Sequence, residues 1–171
     1  MSTSSNYFSK DIKFIKHING APLFTHFGIG PNFIARRGII QLQKLFEKNT
    51  FWAKGRSLNE IKKMINNSSS IITVWKREKL IGFGRATSDQ VFRAVLWDIV
   101  VENKFQNLGI GKFIVKSLLE SKSVSNVKKV YLMTTHFEEF YKSCGFSIIS
   151  RQKCLLMSDH SDNIIKVNNK N

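Results

Sequence analysis

The feature that most constrains this chain is a glycine loop placed directly between an apolar run and an amphipathic run. Residues 92–102 read FRAVLWDIVVE, a β-branched stretch typical of a buried strand, and FQNLGIGKF follows at residues 105–113. Residues 112–122 (KFIVKSLLESK) then carry apolar side chains at helical spacing. The sequence therefore predicts a strand, a tight loop and a helix in direct succession.

A loop of this kind fits a phosphate-bearing ligand. The first N–H groups of a helix have no partner within the helix, and the helix dipole adds partial positive charge to them. Gly109 and Gly111 leave the main chain open to an anion, and Lys112 adds a full charge. The spacing does not match the triphosphate loop, because Phe113 follows the lysine, nor does it match the three-glycine dinucleotide fingerprint. A glycine turn that only redirects the chain is the alternative interpretation.

Two helices are predicted ahead of this unit. Apolar residues recur at helical spacing in residues 37–49 and again in residues 55–67. Ser57 and Glu60 match the capping-box pattern, which fixes the start of the second helix. The apolar stripes consist of Ile39, Leu42, Leu45 and Phe46 in the first helix and of Leu58, Ile61, Met64 and Ile65 in the second.

Short apolar runs separated by turns predict the strands. They occupy residues 70–76, 80–88, 92–102 and 127–135, with a closing hairpin at residues 146–158. A short helix at residues 137–144 is expected to end at Gly145. This order predicts an α/β (α+β) fold, a mixed and mostly antiparallel sheet with helices packed on it. We divide the chain into an irregular N-terminal segment (1–35), one domain (36–158) and a polar tail (159–171).

The chain is strongly basic, with 27 Lys and Arg against 12 Asp and Glu and a formal net charge of +15. Such a charge favours contact with nucleic acid, an anionic membrane or phosphate-bearing small molecules, and an evenly solvated basic surface is the alternative. No apolar run reaches transmembrane length. Cys144 and Cys154 show neither metal-site nor disulfide-framework spacing, which favours a reducing compartment and no bound metal. The Ser-rich start resembles a transit peptide in composition but lacks arginine, and residues 11–18 (DIKFIKHI) alternate like a strand.

Two stretches give the chain a specific resemblance. Residues 106–111 (QNLGIG) are similar to the Q/R-x-x-G-x-G/A signature of the GCN5-related N-acetyltransferase (GNAT) family, and residues 140–146 (FYKSCGF) resemble its tyrosine-bearing helix with the Gly-Phe that follows. Residues 80–112 look like the plant chloroplast serotonin-type members and plastid-encoded relatives of red algae. The resemblance spans roughly residues 38–157. It implies the GNAT fold, with a sheet splayed at its central strand and helices on both faces.

The resemblance implies acetyl-CoA as co-substrate. In the family the signature loop binds the pyrophosphate, and a bulge in the preceding strand frees main-chain groups that bind the pantetheine arm and face the thioester oxygen. The residues at these positions are Ile99, Val100, Val101, Gln106, Asn107, Leu108, Gly109, Ile110, Gly111 and Lys112. Asn107 stands where many relatives have glycine, and asparagine tolerates left-handed backbone geometry, so we expect the loop to keep its shape.

Tyr141 and Asp98 are the candidate catalytic residues. The resemblance places Tyr141 beside the CoA sulfur as general acid, and a packed core aromatic is the alternative. Asp98 lies in an apolar strand, where a carboxylate is costly unless hydrogen-bonded or functional, so it is the candidate base; a structural carboxylate is the alternative. Strand alternation predicts that Leu96, Asp98 and Val100 share one face. His136 could relay a proton or cap a helix.

The sequence leaves the amine acceptor open. Phe46, Phe51 and Trp52 could hold an arylalkylamine such as serotonin or could fill the core. The resemblance also allows a protein lysine or N-terminal acetyltransferase of the plastid, and charge alone would allow a non-catalytic basic RNA-associated protein. We expect a small-molecule or protein amine as substrate, no specific nucleic-acid or membrane partner, a monomer or homodimer, and, from the resemblance, a location in the plastid stroma.

Overall fold

The computed structural model describes residues 11–18 and 35–150, and within them five strands form one sheet. The strands are β1 (Ile12–Ile18), β2 (Ser70–Lys76), β3 (Lys79–Ser88), β4 (Arg93–Val101) and β5 (Lys129–Tyr131). They lie in sequence order, with β1 to β4 antiparallel to their neighbours and β5 parallel to β4. The mixed, mostly antiparallel sheet predicted from the sequence is confirmed.

Four α-helices occur within these ranges. They are α1 (Ala35–Asn49), α2 (Leu58–Asn66), α3 (Ile110–Leu119) and α4 (Glu138–Lys142). The predicted capping box starts α2, since Ser57 Oγ accepts the N–H of Glu60 and the Glu60 carboxylate accepts the N–H of Ser57. After α4 the chain turns at Gly145, whose φ is 92°. None of these helices combines the length and the apolar character that crossing a bilayer requires.

The helices pack on both faces of the sheet and bury two apolar clusters. The first cluster lies under α1 and α2 and the second under α3 and α4. Every residue of the two predicted apolar stripes belongs to the first cluster or packs against it. Each fully buried Leu, Ile or Phe side chain stabilises the fold by roughly 1.5–3 kcal/mol relative to an exposed one. Apolar packing therefore stabilises both faces of the sheet, and β4 lies between the two clusters.

The strand β1 corrects the prediction that residues 1–35 are irregular. It pairs with β2 along its whole length. His17 Nε2 lies 3.0 Å from Thr73 Oγ1, and burial lowers the pKa of His17 to about 4, so the ring is neutral at physiological pH. Residues 11–18 (DIKFIKHI) alternate as a strand does, but the glycines and prolines that follow them in the sequence favoured an irregular segment.

The strand predicted at residues 127–135 is shorter than expected. Only Lys129–Tyr131 pairs, with residues 93–95 of β4, and the two strands then diverge. Residues 96–101 of β4 consequently have no register partner on β5, which is the splay that the resemblance implies. Residues 146–150 form no strand, so that part of the predicted hairpin is wrong. The rest of the hairpin and the predicted tail lie outside the described residues.

Candidate functional site

The loop between β4 and α3 contains two residues with left-handed backbone. Asn107 has a φ of 61°, and Gly109, the N-cap of α3, has a φ of 80°. Left-handed residues interspersed with right-handed ones turn successive N–H groups toward the same side, which makes a concave anion-binding nest. The left-handed φ of Asn107 agrees with the expectation that the loop keeps its shape with asparagine in place of glycine.

Six successive N–H groups of this loop are open. Those of residues 107–112 donate to no acceptor within residues 11–18 and 35–150. The residues on either side do form main-chain hydrogen bonds. The N–H of Gln106 donates to Asn103 O at 3.3 Å, and the N–H of Phe113 donates to Gly109 O at 3.0 Å. Lys112 is exposed on the first turn of α3. The loop therefore offers main-chain donors, a helix dipole and one full positive charge, which is the chemistry that binds a diphosphate.

The side chains of Gln106 and Phe140 stabilise the loop. Gln106 Nε2 donates to Val101 O and to Asn103 Oδ1, both at 3.1 Å, so this side chain fastens the loop to the end of β4. A Cβ atom on Gly111 would lie 3.2 Å from Cζ of Phe140. The helix α4 therefore packs directly against the first turn of α3, and the loop is in contact with the helix that carries Tyr141.

The strand β4 carries a bulge. The register shifts between Phe83 and Arg85 of β3, which leaves Asp98 and Ile99 both opposite Gly84. Asp98 is the residue that absorbs the extra length, with a left-handed φ of 52°. A Cβ atom on Gly84 would lie 2.5 Å from Cγ2 of Ile114 and 2.8 Å from Cδ1 of Ile99, so any side chain opposite the bulge would force its packed neighbours to move.

The bulge changes the face that each side chain of β4 takes. The prediction that Leu96, Asp98 and Val100 share a face is wrong, since Leu96 packs in the cluster under α3 and Val100 in the cluster under α1 and α2. One inserted residue shifts a period-two alternation to the opposite phase. The Asp98 side chain is 5% exposed although the residue as a whole is half-buried, so its main chain is the part that solvent reaches.

Both carboxylate oxygens of Asp98 accept hydrogen bonds from arginines. Arg85 Nε donates to Oδ2 at 2.6 Å, and Arg56 Nη1 donates to Oδ1 at 3.1 Å. Arg85 lies on β3, and Arg56 lies in the segment between α1 and α2. This geometry supports the structural alternative for Asp98, and its role as base stays a prediction.

A cavity of about 960 Å³ opens where β4 and β5 diverge. Aromatic and aliphatic side chains of both strands, of α4 and of the residues after it line this space, among them Val95, Trp97, Tyr131, Met133, Tyr141 and Phe146. Glu138, at the start of α4, adds a carboxylate to the wall. The cavity has the size and the largely apolar lining of a small-molecule site.

Tyr141 lies on the wall of this cavity. Its ring packs against Phe140 and Phe146, with centroids 4.9 Å and 6.1 Å away. Burial, together with the neighbouring Cys144 thiol, raises the pKa of Tyr141 to about 12. The phenol therefore keeps its proton at neutral pH, which a general acid requires. The predicted acid role of Tyr141 is compatible with this position and stays a prediction.

The other residues singled out in the sequence separate into buried and exposed ones. Phe46 is 1% exposed and fills the core, whereas Phe51 and Trp52 are 55% and 44% exposed. His136 is not the N-cap of α4, since Phe137 holds that position and its N–H donates to Thr134 Oγ1 at 3.2 Å. In the described part of the chain, no group of three or more His, Cys, Asp or Glu residues could hold a metal ion.

Comparison with known proteins identifies the family. The profile of the acetyltransferase (GNAT) family matches residues 39–146, well over half of the chain, including the loop, the bulge and α4. The chain belongs to this family. It is 37% identical over 100 residues to the uncharacterized N-acetyltransferase ycf52 of Pyropia yezoensis, covering 56% of this chain and 57% of that protein. It is 36% identical over 72 residues to the chloroplastic GCN5-related N-acetyltransferase 1 of Arabidopsis thaliana, covering 42% and 36%.

This GNAT chain spans about half, or less, of the length of these relatives. Among solved structures, the GNAT-family acetyltransferase SP0256 of Streptococcus pneumoniae superposes with a TM-score of 0.65 at 17% identity, covering 87% of this chain and 98% of that one. Likeness at this level of identity establishes the fold and leaves the substrate open. The predicted GNAT family and fold are confirmed.

Sequence reasoning missed Arg56, Arg85 and Trp97 as parts of the site. Arg56 and Arg85 are two of 27 basic residues, and nothing in their spacing singles them out. One signal was available for Arg85, which is the single charged residue in the stretch LIGFGRATS, as Asp98 is in AVLWDIVV. Two opposite charges in adjacent apolar strands predict a buried pair, because a buried charge is costly without a partner.

Proposed function

We propose that the protein is an acetyl-CoA-dependent N-acetyltransferase whose acceptor is a primary amine, with an arylalkylamine such as serotonin as the first candidate. The observation that carries this proposal is the alignment of three features along β4. The open N–H groups of residues 107–112 follow the carboxyl end of the strand, the bulge at Asp98 lies inside it, and the cavity with Tyr141 lies where β5 diverges.

In this proposal the donor binds mainly to main-chain groups. The N–H groups of residues 107–112 and the Lys112 ammonium hold the diphosphate of acetyl-CoA. The main chain of Ile99, Val100 and Val101 binds the pantetheine arm, because residues 96–101 have no register partner on β5. Gly111 lets α4 pack close to the loop, which keeps Tyr141 at a fixed distance from the diphosphate site.

Acetyl-CoA supplies the acetyl group as a thioester. The amine nitrogen forms a bond to the carbonyl carbon, the bond from that carbon to sulfur breaks, and the amine loses a proton while the departing thiolate gains one. Tyr141 holds a proton for the sulfur, since its phenol stays neutral to high pH. For the proton of the amine we retain Asp98 as the predicted base, with the two arginines on its oxygens as the evidence against that role.

The lining of the cavity supports a small aromatic amine as acceptor. Trp97 and Tyr131 offer flat apolar surfaces, and the Glu138 carboxylate can attract an ammonium group. Phe51 and Trp52 are exposed and free to contact a substrate from the segment between α1 and α2. A net charge of +15 disfavours lysine-rich protein tails, because like charges slow their approach. Small monocations are repelled much less.

The relatives bear on both the acceptor and the location. One relative, at 33% identity over 72 residues, is named the histone acetyltransferase TAP1 of Glycine max, so protein lysines belong in any substrate panel. Two Arabidopsis thaliana relatives are named chloroplastic. We propose a plastid location for this protein on that basis.

The test is an acetylation assay of the purified protein with acetyl-CoA and a matched panel of acceptors. Serotonin, a polyamine and a lysine-containing peptide are compared at equal concentrations, and the expected order places serotonin first. CoA at about 100 times its Kd should also stabilise the fold by about 2.7 kcal/mol. Absence of both stabilisation and turnover would remove the enzyme assignment, and a salt-dependent affinity for RNA in its place would favour the polyanion-binding alternative.

A further inference from the structure

We propose that Arg56 and Arg85, acting through Asp98, form a clamp that holds the bulge of β4 in its left-handed form and ties the segment between α1 and α2 to the donor strand. Arg56 and Arg85 are thereby positioning residues for acetyl transfer. The catalytic effect that we assign to the clamp rests on the proposed function. The structural effect depends only on the geometry of the three side chains.

The clamp joins three separate parts of the chain. Arg56 is 42 residues from Asp98 in sequence and Arg85 is 13 residues away. The side chains of Arg56, Arg85 and Asp98 are 29%, 15% and 5% exposed. Charge-assisted hydrogen bonds between groups so well shielded from solvent are stronger than exposed ones, and both carboxylate oxygens are engaged.

The left-handed backbone of Asp98 explains why a clamp is needed. The left-handed region is unfavourable for a residue other than glycine, and aspartate is among the residue types that visit it. A glycine there would form the same bulge without this cost but also without a fixed shape. The buried carboxylate ties the bulge to two cations, and removing those cations would leave an unpaired buried charge.

The clamp reaches the cavity through aromatic side chains. The Arg85 guanidinium lies over the Trp97 ring, 5.6 Å from its centroid, and the Trp97 indole N–H donates to Thr87 Oγ1 at 2.8 Å. Trp97 is part of the cavity wall. On the other side, the Arg56 guanidinium lies over the buried Phe46 ring, 5.2 Å from its centroid. The acceptor wall, the donor strand and the first helix are therefore held by one connected set of contacts.

Arg56 is the residue to test, because its side chain is more exposed than that of Arg85. When Arg56 is replaced, Arg85 still pairs with Asp98. The variants are Arg56→Gln and the conservative Arg56→Lys. A matched control is Arg37→Gln, which breaks an exposed arginine–glutamate pair of the same 3.1 Å length, with side chains 58% and 59% exposed. Amide hydrogen exchange of residues 98–101 reports the bulge without any ligand.

The expected result for Arg56→Gln is exchange about tenfold faster at residues 98–101 than elsewhere in β3 and β4, with kcat about tenfold lower and the Kd of CoA changed less than about threefold. Arg56→Lys should recover part of the kcat, and Arg37→Gln should match the wild type. Exchange at residues 98–101 that equals the control, or that accelerates uniformly across the sheet, would overturn the clamp. Wild-type protein that neither binds CoA nor turns over would overturn the proposed function alone, since the exchange result does not depend on either.

Discussion

The candidate site extends along β4, and its two ends are built from different groups: the loop after the strand and the bulge within it. At the carboxyl end, residues 107–112 present main-chain N–H groups, and the one charged side chain among them is Lys112. At the bulge, Asp98, Arg56 and Arg85 meet through side-chain hydrogen bonds of 2.6 Å and 3.1 Å. A main-chain site tolerates any residue that keeps the backbone shape, whereas a side-chain site depends on the identity of each partner. The loop should therefore respond to changes in backbone and charge, and the bulge and cavity to changes in single functional groups.

The largest expected effect is at the main-chain end. Gly109→Asp introduces a residue type that tolerates left-handed geometry and places a carboxylate in the anion site. The Kd of CoA should therefore rise at least about 100-fold, which is a loss of about 2.7 kcal/mol in binding free energy. Gly55→Asp is the matched control, because Gly55 has a similar φ of 76° and nothing lies within 4 Å of its Cβ position. Calorimetric titration with CoA measures both. Equal Kd values of CoA for the two variants would contradict an anion site at residues 107–112.

At the cavity end, Tyr141→Phe removes the phenolic hydroxyl group and leaves the ring in place. The expected result is a kcat about 100-fold lower with an unchanged Kd for CoA, as for loss of a general acid. Tyr131→Phe, in the wall of the same cavity, serves as the control and should keep its kcat. Because the pKa of Tyr141 is raised to about 12, the wild-type rate should show no alkaline loss from this group until the pH approaches that value. Equal kcat values for Tyr141→Phe and Tyr131→Phe would show that another group protonates the departing thiolate.

A smaller effect is expected for the charge on the loop. Lys112→Gln should raise the Kd of CoA about three- to tenfold at low salt, and the difference should shrink as salt rises. Lys116→Gln is the control one turn later on α3, where the ammonium lies 3.8 Å from the Glu120 carboxylate. Titrations at two ionic strengths provide the measurement. A loss of affinity as large as that of Gly109→Asp would show that the lysine, and not the main chain, carries the site.

The smallest effect is expected for Asn107→Gly. Glycine adopts the φ of 61° without strain and keeps the N–H group, so the Kd of CoA should change by less than about twofold. The same titration measures it. A tenfold loss would mean that the asparagine side chain itself binds the ligand and that this end of the site also depends on side chains.

What the sequence could predict follows the same division. The loop was found because glycine spacing reports backbone geometry directly, and Asn107 was expected to tolerate left-handed geometry from its residue type alone. The start of α2 was found because Ser57 and Glu60 lie three residues apart in one local motif. Such features are encoded within a few neighbouring residues, so they need no knowledge of the tertiary structure.

The bulge end depends on contacts between distant residues. A single inserted residue at Asp98 put Leu96 and Val100 in different clusters, and regular alternation could not reveal it. The partners of Asp98 are 42 and 13 residues away, in a loop and in another strand. Likewise β1 is a strand because it pairs with β2, more than fifty residues later, and its flanking sequence suggested a loop. The alternation of residues 11–18 indicates a strand, but local patterns reveal neither its partner nor the partners of Asp98.

The central claim is that the open N–H groups of residues 107–112 bind the diphosphate of acetyl-CoA. An amide-resolved NMR titration of the wild-type chain with CoA tests it most directly, because each N–H reports its own environment. We predict that the largest shifts fall on residues 107–112, followed by residues 99–101, and that Gly109→Asp abolishes them. Saturable binding of CoA with its largest shifts outside both stretches would contradict the claim.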